Sequence, residues 1–554
     1  MSINKNHLIY HSLVWVVCIA ILLILSVEFL LNITPPIARD ALIHHLAVPK
    51  LWLQNGWFYE MKWAKFSYYP MNVDILYIIP LYFKKDFLAN FIHMSFGMGT
   101  AFLIYNYLKN RISLIAGLLG VLIFLSTPMI FRLSTQAYVD LGLIFFTTAS
   151  ILTFIRYRDS AFKDFKWLFL SSLAMGLALG TKYNALIAWF FLSVTIVFVY
   201  ARDSKEQWEA FKCGLIFFFT SLLVFSPWLI KNAILTGNPF YPLFQGIFNI
   251  SNTATQNGTY SVVSGRTSSG IFQFREIMYG EGFWETLLIP VRYFFQGQDH
   301  SHRYFDGVLN PVFIILAPFS FMNKSFYRDK LFFTGFVIFF ILTATSLDQT
   351  RIRYILPVIP ILSILAVMGL INIFHWANGL SINLRISGLV ILTLSCTAFM
   401  TQNIIYIKNY YQDIGPMNYI LGKESRDEFI TRHNNGYAAI KYINTHTPKN
   451  AKVRLFLFAG RGYYLDRLYE EGPHYGMSDI GGLVASARDD HSFQAYLRSL
   501  GCTHLLVRTE LFEKFLKDNY PPATRALFIR RMSEATKILY NQDGCAVYEI
   551  ISRS

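Results

Sequence analysis

The sequence predicts a mainly α-helical, polytopic membrane protein of about eleven spans, followed by a smaller α/β unit. Three observations carry that reading. The 554 residues are 54% hydrophobic and 17% aromatic but only 15% charged, a balance foreign to a water-soluble domain. Apolar runs of roughly 17–25 residues recur, each long enough to cross about 30 Å of hydrocarbon. These runs stop near residue 404, and residues 405–554 turn polar, with short β-rich stretches between helical ones.

The spans follow in order. The first is expected at 8–32. It is too long for a cleaved signal and no small-residue cleavage site follows it, so it reads as retained. The next apolar run, 73–83, is short and is interrupted by Lys84, Lys85 and Asp86. It reads as an interfacial or re-entrant segment, with a short tilted span as the alternative. Further spans are expected at 87–108, 113–131, 139–156, 167–182, 185–201, 211–230, 308–322, 331–347, 353–373 and 386–404. Basic connections at Lys109–Arg111, Arg156–Lys166, Arg202–Lys212, Lys324–Lys330 and His375–Arg385 alternate with the others. The positive-inside rule then places the N-terminus and these connections in the cytoplasm. Loops 33–86 and 231–307 and everything after 404 fall together on the outer side.

The net charge of +15 fits the same picture. Lysines and arginines near anionic headgroups account for it, and nucleic acid is excluded as a partner. Cys18, Cys213 and Cys396 lie in apolar spans and read as packing residues. Cys502 and Cys545 each precede a predicted strand, and their pairing is one possibility in an oxidising compartment.

In 405–554, strands are expected in VRLFLFAG, THLLVRT and AVYEI, and helices over Asp490–Leu500 and Leu511–Asn519. No Gly-rich phosphate loop and no G-x-S-x-G occurs there. Gly460, Arg461, Gly462, Tyr463 and Tyr464 follow the first strand and read as a turn, or alternatively as a substrate-facing loop.

The polar chemistry concentrates between Pro35 and Pro70. Asp40 stands where an amphipathic interfacial helix begins, so it reads either as the helix N-cap or as one half of an acid–base pair with His44, four residues on. His45 is its neighbour. Lys62 and Lys65 precede Tyr68, Tyr69 and Pro70, and nearby Trp57 and Trp63 offer interfacial anchoring as an alternative. Asp140 lies at the outer end of a span, where a charge is costly and often functional. Lys182 ends another span, with snorkelling as its bland role. Arg351 and Arg353 flank a late span, suited either to a phosphate fork or to anionic lipid. Glu28 reads as a snorkelling residue near the outer end of the first span. The run Gln298-Asp299-His300-Ser301-His302-Arg303 reads as a polar loop, since no third or fourth metal ligand accompanies it. There is no D-x-D, and the adjacent Asp489 and Asp490 make a poor metal site. No metal and no cofactor is therefore expected.

The segments RDALIHHLAVPKLWLQNGWF and FSYYPMNVDILYIIPLYF resemble the first outer loop of GT-C superfamily glycosyltransferases that use polyprenyl-phosphate donors, such as bacterial aminoarabinose transferases and protein O-mannosyltransferases. STQAYVDLGLIFF, GLALGTKYNAL, SPWLIKNAILTGNPFYPLF and TRIRYILPVIP resemble later parts of the same pattern, in the same order. LGKESRDEFI and FAGRGYYLDR resemble tail segments of bacterial members.

The resemblance implies a GT-C-like membrane domain over 1–404 and an extracytoplasmic α/β domain over 405–554. It implies transfer of a sugar, with inversion, from a polyprenyl-phosphate donor to a glycan, lipid or protein acceptor at the outer face of the cytoplasmic membrane. Asp40 matches the catalytic carboxylate and Asp140 the second aspartate. Lys182, Arg351 and Arg353 are then expected to hold the lipid phosphate, with His44, His45, Lys62, Lys65 and Tyr69 as supporting residues. A transporter or flippase of lipid-linked glycans would instead place ionisable groups deep in mid-span, along a pathway. A polysaccharide polymerase or ligase would share the chemistry and differ in acceptor.

Overall fold

The computed structural model describes residues 5–248, 270–346 and 350–551. The Ser/Thr/Asn/Gly-rich stretch 251–269 of the second long loop lies outside the described residues. The fold is mainly helical, with one small sheet near the C-terminus. Seven helices among the described residues are long and apolar enough to cross a membrane: Tyr10–Asn32, Leu88–Arg111, Asp140–Asp159, Ala185–Ser204, Gln207–Thr236, Leu356–Asn378 and Ile382–Ile414.

The expected count of eleven is therefore not reproduced on length and composition. The span expected at 113–131 is two helices, Leu114–Ser126 and Pro128–Ser134, bent by 73°, an eighth candidate if taken as one. The break has a local cause. Pro128 opens the second helix, and Thr127 before it is extended, as a residue preceding proline prefers. Phe165–Leu179 and Val312–Met322 are apolar but shorter. Tyr327–Thr345 begins with Arg328, Asp329 and Lys330, so charge fills its first turn. The 73–83 segment forms two five-residue helices, Asn72–Leu76 and Ile78–Tyr82, too short to cross upright.

The two ends of the helical bundle differ in chemistry. At one end Asp329 is buried and takes Arg158, Arg111 and the Tyr107 hydroxyl, while Asp159 takes Arg111 and Arg158. This knot closes the end where the basic connections lie. The opposite end gathers the first long loop, the bend at Thr127, the starts of Asp140–Asp159 and Leu356–Asn378, and the C-terminal residues around a cavity. Glu28 faces the protein rather than snorkelling. It is fully buried and accepts a hydrogen bond from Ser134 Oγ at 2.6 Å, tying the first helix to the bend.

Helix Ile382–Ile414 runs past the expected boundary at 404. The sheet behind it is mixed, in the order β2-β1-β3-β5-β4, with β1 (Lys452–Phe456), β2 (Leu468–Glu471), β3 (His504–Arg508), β4 (Thr536–Gln542) and β5 (Cys545–Ile550). β1 runs parallel to both neighbours, and β5 runs antiparallel to β3 and β4. Strands β2 and β4 were not legible in the sequence because neither alternates cleanly: β2 exposes Leu468 and buries Glu471, and β4 exposes Ile538. Cys545 pairs in register with Arg508 at one end of β3, whereas Cys502 precedes its other end. At about 3.4 Å per residue the two thiols stand roughly 20 Å apart. Both are free, and the pairing considered for them is ruled out.

The C-terminal residues dock directly on the first long loop. Tyr464 Oη donates to the Pro36 carbonyl at 2.6 Å, and Tyr463 Oη donates to Asp86 at 2.9 Å. Lys50 Nζ donates to the Tyr463 and Leu465 carbonyls at 2.8 and 2.9 Å. Buried apolar groups of both regions, from Leu42 to Leu465, form one continuous cluster.

Candidate active site

Asp40 closes the chain's turn from the first helix. It precedes a π-helical turn, Ala41–His45, in which Leu46 N–H bonds back five residues to the Ala41 carbonyl at 2.9 Å. Such widened turns are uncommon and cluster at functional sites. Here the turn lets two consecutive imidazoles face inward. The His44 ring stacks on Phe66 at 4.4 Å, and His45 Nδ1 lies 2.6 Å from Asp74 Oδ1.

Asp40 does not act as an N-cap; its side chain makes no capping bond. Arg353 Nη1 donates to Asp40 Oδ2 at 2.5 Å, and the Tyr138 hydroxyl accepts from the Asp40 backbone N–H at 3.2 Å. Burial alone would raise the Asp40 pKa, but Arg353, and then His44 and His45, hold it well below the usual carboxylate range. Asp40 is thus ionised throughout the physiological range.

The second aspartate is buried beneath it. Lys182 Nζ donates to Asp140 Oδ1 at 2.6 Å, and Asp140 Oδ2 is buried with no partner. Lys182 also lies over the Tyr354 ring at 5.6 Å, so it turns inward and does not snorkel. The Arg353 guanidinium lies 5.8 Å from the rings of both Tyr138 and Tyr354.

These groups, except Asp140, which lies buried behind Lys182, line a cavity of about 1130 Å³. Asp40, His44, His45, Lys65, Tyr69, Lys182, Arg351 and Arg353 all line it, so most of the residues singled out in the sequence converge. Lys62 does not. Its side chain is 85% exposed and its nearest carboxylate, on Glu60, is 3.9 Å away. The helical turn that begins at Lys65 explains the difference, carrying Lys65 toward the cavity and leaving Lys62 on the preceding surface turn. His300 and His302 of the polar loop line the cavity as well, while Asp299 beside them accepts from Arg132 at 2.8 Å and from Tyr406 at 2.5 Å.

Sequence reasoning missed Asp74, Arg39, Arg132 and the placement of Arg461. Asp74 is 1% exposed, and burial pushes its pKa up to about 7. Burial pushes His45 down to about 3. Between about pH 3 and 7 the pair therefore shares one proton and carries no net charge. Its only sequence signal was a lone acid inside an apolar run. Arg39, Lys65 and Arg461 line the cavity with no ion-pair partner among the described residues. Positive charge there exceeds negative charge, which suits an anionic ligand. Among the described residues no three His, Cys, Asp or Glu side chains converge as metal ligands would.

Known proteins share this fold. The family model of dolichyl-phosphate-mannose-protein mannosyltransferases matches residues 53–244. ArnT from Cupriavidus metallidurans bound to undecaprenyl phosphate superposes with a TM-score of 0.58, covering 96% of this chain and 97% of that one at 14% identity. The chain has the ArnT-like GT-C fold. The Archaeoglobus fulgidus oligosaccharyltransferase in the apo form is similar over 90% of this chain and 70% of its own, with a TM-score of 0.54 and 10% identity. AglB from the same organism, in complex with an inhibitory peptide and a dolichol-phosphate, has a TM-score of 0.53 at 11% identity, covering 91% and 70%. No curated protein matches the chain by sequence. The GT-C fold places the first long loop and the C-terminal residues at one end of the bundle, where the cavity opens.

Proposed function

We propose that this chain is an inverting membrane glycosyltransferase that moves a sugar from a polyprenyl-phosphate donor to an acceptor hydroxyl. The observation that supports it most is the ionised Asp40 inside a cavity with an excess of arginine and lysine. In the reaction, the acceptor oxygen attacks the anomeric carbon from the face opposite the phosphate. The new C–O bond forms as the bond to phosphate breaks, and the hydroxyl proton passes to Asp40. The polyprenyl phosphate leaves with one more negative charge, which cations already in place stabilise.

The Arg353 contact bears on how the base works. A carboxylate paired this tightly is a weak base. A donor phosphate competes for the same guanidinium, since arginine forks fit phosphate as well as carboxylate. When Arg353 turns to the phosphate, Asp40 gains basicity in the step where it must take a proton. Arg351 and Lys65 supply further positive charge, and Lys182 is held by Asp140 beneath the site. No metal is invoked, because the chain's own cations meet the charge that develops. The basic connections favour a cytoplasmic N-terminus, which sets the cavity at the outer face of the cytoplasmic membrane.

The test supplies purified protein with polyprenyl-phosphate sugars and an acceptor extract, and compares Asp40→Asn. Sugar transfer by the parent protein and its loss in the folded variant are expected. Transfer at the parent rate by Asp40→Asn would remove the base assignment.

A further inference from the structure

The C-terminal sheet has an open edge of chemistry that the reaction above does not use. β2, β1 and β3 are parallel, so their carboxyl ends point the same way. From β1 the chain turns aside to β2, and from β3 it leaves on the other side toward β4. Adjacent strands whose connections part in opposite directions leave a crevice beyond their carboxyl ends, the usual ligand position in open α/β sheets.

Two arginines stand at this crevice. Arg508 ends β3, next to the register pair of Phe456 with Val507. Arg461 follows β1 in a link of parallel strands too short for a helix, which doubles back as a turn packed largely out of solvent. Leu457, Ala459 and Gly460 in that turn all have positive φ, at 60°, 54° and 73°. A β-carbon on Gly460 would come within 3.1 Å of Ile43, in the turn that follows Asp40. The turn thus seats against the first long loop, and Arg461 lines the cavity together with Arg39.

None of Arg39, Arg461 and Arg508 has an ion-pair partner among the described residues, and Arg461 Nε is buried with no hydrogen-bond acceptor. After burial, Arg39 and Arg508 are the groups that depress the Arg461 pKa, so Arg461 feels both of the other guanidiniums. The carboxylate at the same edge, Glu471, does not cancel them. Its carboxylate is taken by the backbone N–H groups of Gly460, Phe458 and Ala459 and makes no ion pair with Arg39, Arg461 or Arg508 among the described residues, while burial pushes its pKa up to about 7. A buried donor without an acceptor is costly, and three cations held close without a counter-charge repel. An anion at this seam relieves both.

We infer that Arg461 and Arg508 at the carboxyl ends of β1 and β3, with Arg39 from the first long loop, form an anion site that takes a phosphate group of a substrate at the cavity mouth. The inference rests on the glycosyltransferase reading and deepens it. It makes the C-terminal sheet a contributor of substrate-binding residues, distinct from the cations around Asp40. The phosphate belongs either to the lipid donor or to a phosphate-bearing acceptor.

Titration of the full-length protein in detergent with undecaprenyl phosphate and, separately, with inorganic phosphate tests this. Arg461→Gln and Arg508→Gln are each expected to weaken binding by roughly fivefold or more, with partial recovery in Arg461→Lys. Weakened binding of undecaprenyl phosphate assigns the site to the donor. Weakened binding of inorganic phosphate alone assigns it to an acceptor phosphate. Should Arg461→Gln fail to fold, Arg508→Gln and Arg461→Lys carry the same reading. Parent protein that binds while all folded variants bind equally well overturns the anion site and leaves the enzyme reading intact. Parent protein that binds neither ligand overturns both.

Discussion

Arg353 donates to Asp40 across 2.5 Å, joining a residue at the start of Leu356–Asn378 to one in the first long loop, 313 positions earlier. The contact makes Asp40 acidic at rest and makes its basicity depend on what else engages Arg353.

Removing that guanidinium therefore has a defined pH signature. With Arg353, Asp40 is held ionised well below the usual carboxylate range. In Arg353→Gln, burial acts unopposed by its main partner and the pKa rises. In kcat/KM, which reports the free enzyme in which Arg353 still holds Asp40, the parent is expected to show no acid limb from Asp40 above about pH 4. The variant is expected to lose activity as pH falls through the raised value, on top of a lower plateau rate. Identical pH profiles would show that Arg353 does not govern the base.

Asp40→Asn is expected to lower transfer by about 10²–10⁴-fold, the range for a positioned general base, while undecaprenyl phosphate still binds. Rate and binding are measured on the same preparation, so a misfolded variant is recognised by loss of both.

The His45–Asp74 pair predicts a difference in stability against pH. In the folded protein Asp74 is raised to about 7 and His45 lowered to about 3. The raised acid adds stability at low pH that is lost as pH climbs from its unfolded value toward 7. The lowered imidazole adds stability at high pH that is lost as pH falls from 6.5 toward 3. Between about pH 4 and 6.5 the two slopes cancel. Asp74→Asn removes the first and leaves the second. Relative to the parent, the variant is expected to lose about 1.4 kcal/mol per pH unit on acidification through that window. Thermal melts in detergent across the window read the difference, and parallel curves would refute the shared proton.

Asp140 is buried and Lys182 half-buried against it, so a single neutralisation strands a charge. Asp140→Asn is expected to cost about 3–5 kcal/mol of stability, and the double variant Asp140→Asn with Lys182→Gln distinctly less. Melting temperatures of the two singles and the double supply the cycle.

The two lysines of the first long loop should separate. Lys65 lines the cavity and Lys62 is exposed. Lys65→Ala is expected to raise the donor concentration needed for half-maximal transfer, and Lys62→Ala to leave it unchanged. Equal effects would show that their charge acts at long range.

Much of the architecture was legible from residue order alone. Apolar runs long enough to cross hydrocarbon marked the helices, because a backbone in lipid must satisfy its hydrogen bonds within each segment. The alternating basic connections separated the two ends of the bundle. Asp40, Asp140, Lys182 and Arg353 stood out because charges at span ends are rare and costly. Their partnerships did not show, since Asp40 with Arg353 and Asp140 with Lys182 join residues 313 and 42 positions apart.

The chain by itself determined a many-span helical membrane protein, a polar first loop and a mixed α/β C-terminal region, all set by local hydrophobicity and turn chemistry. Only the tertiary structure decided which charges meet. It buried Glu28 against Ser134, paired His45 with Asp74, left Lys62 in solvent and brought Arg461 to the cavity. Each of those outcomes depends on burial and on through-space charge, which the order of residues along the chain does not record.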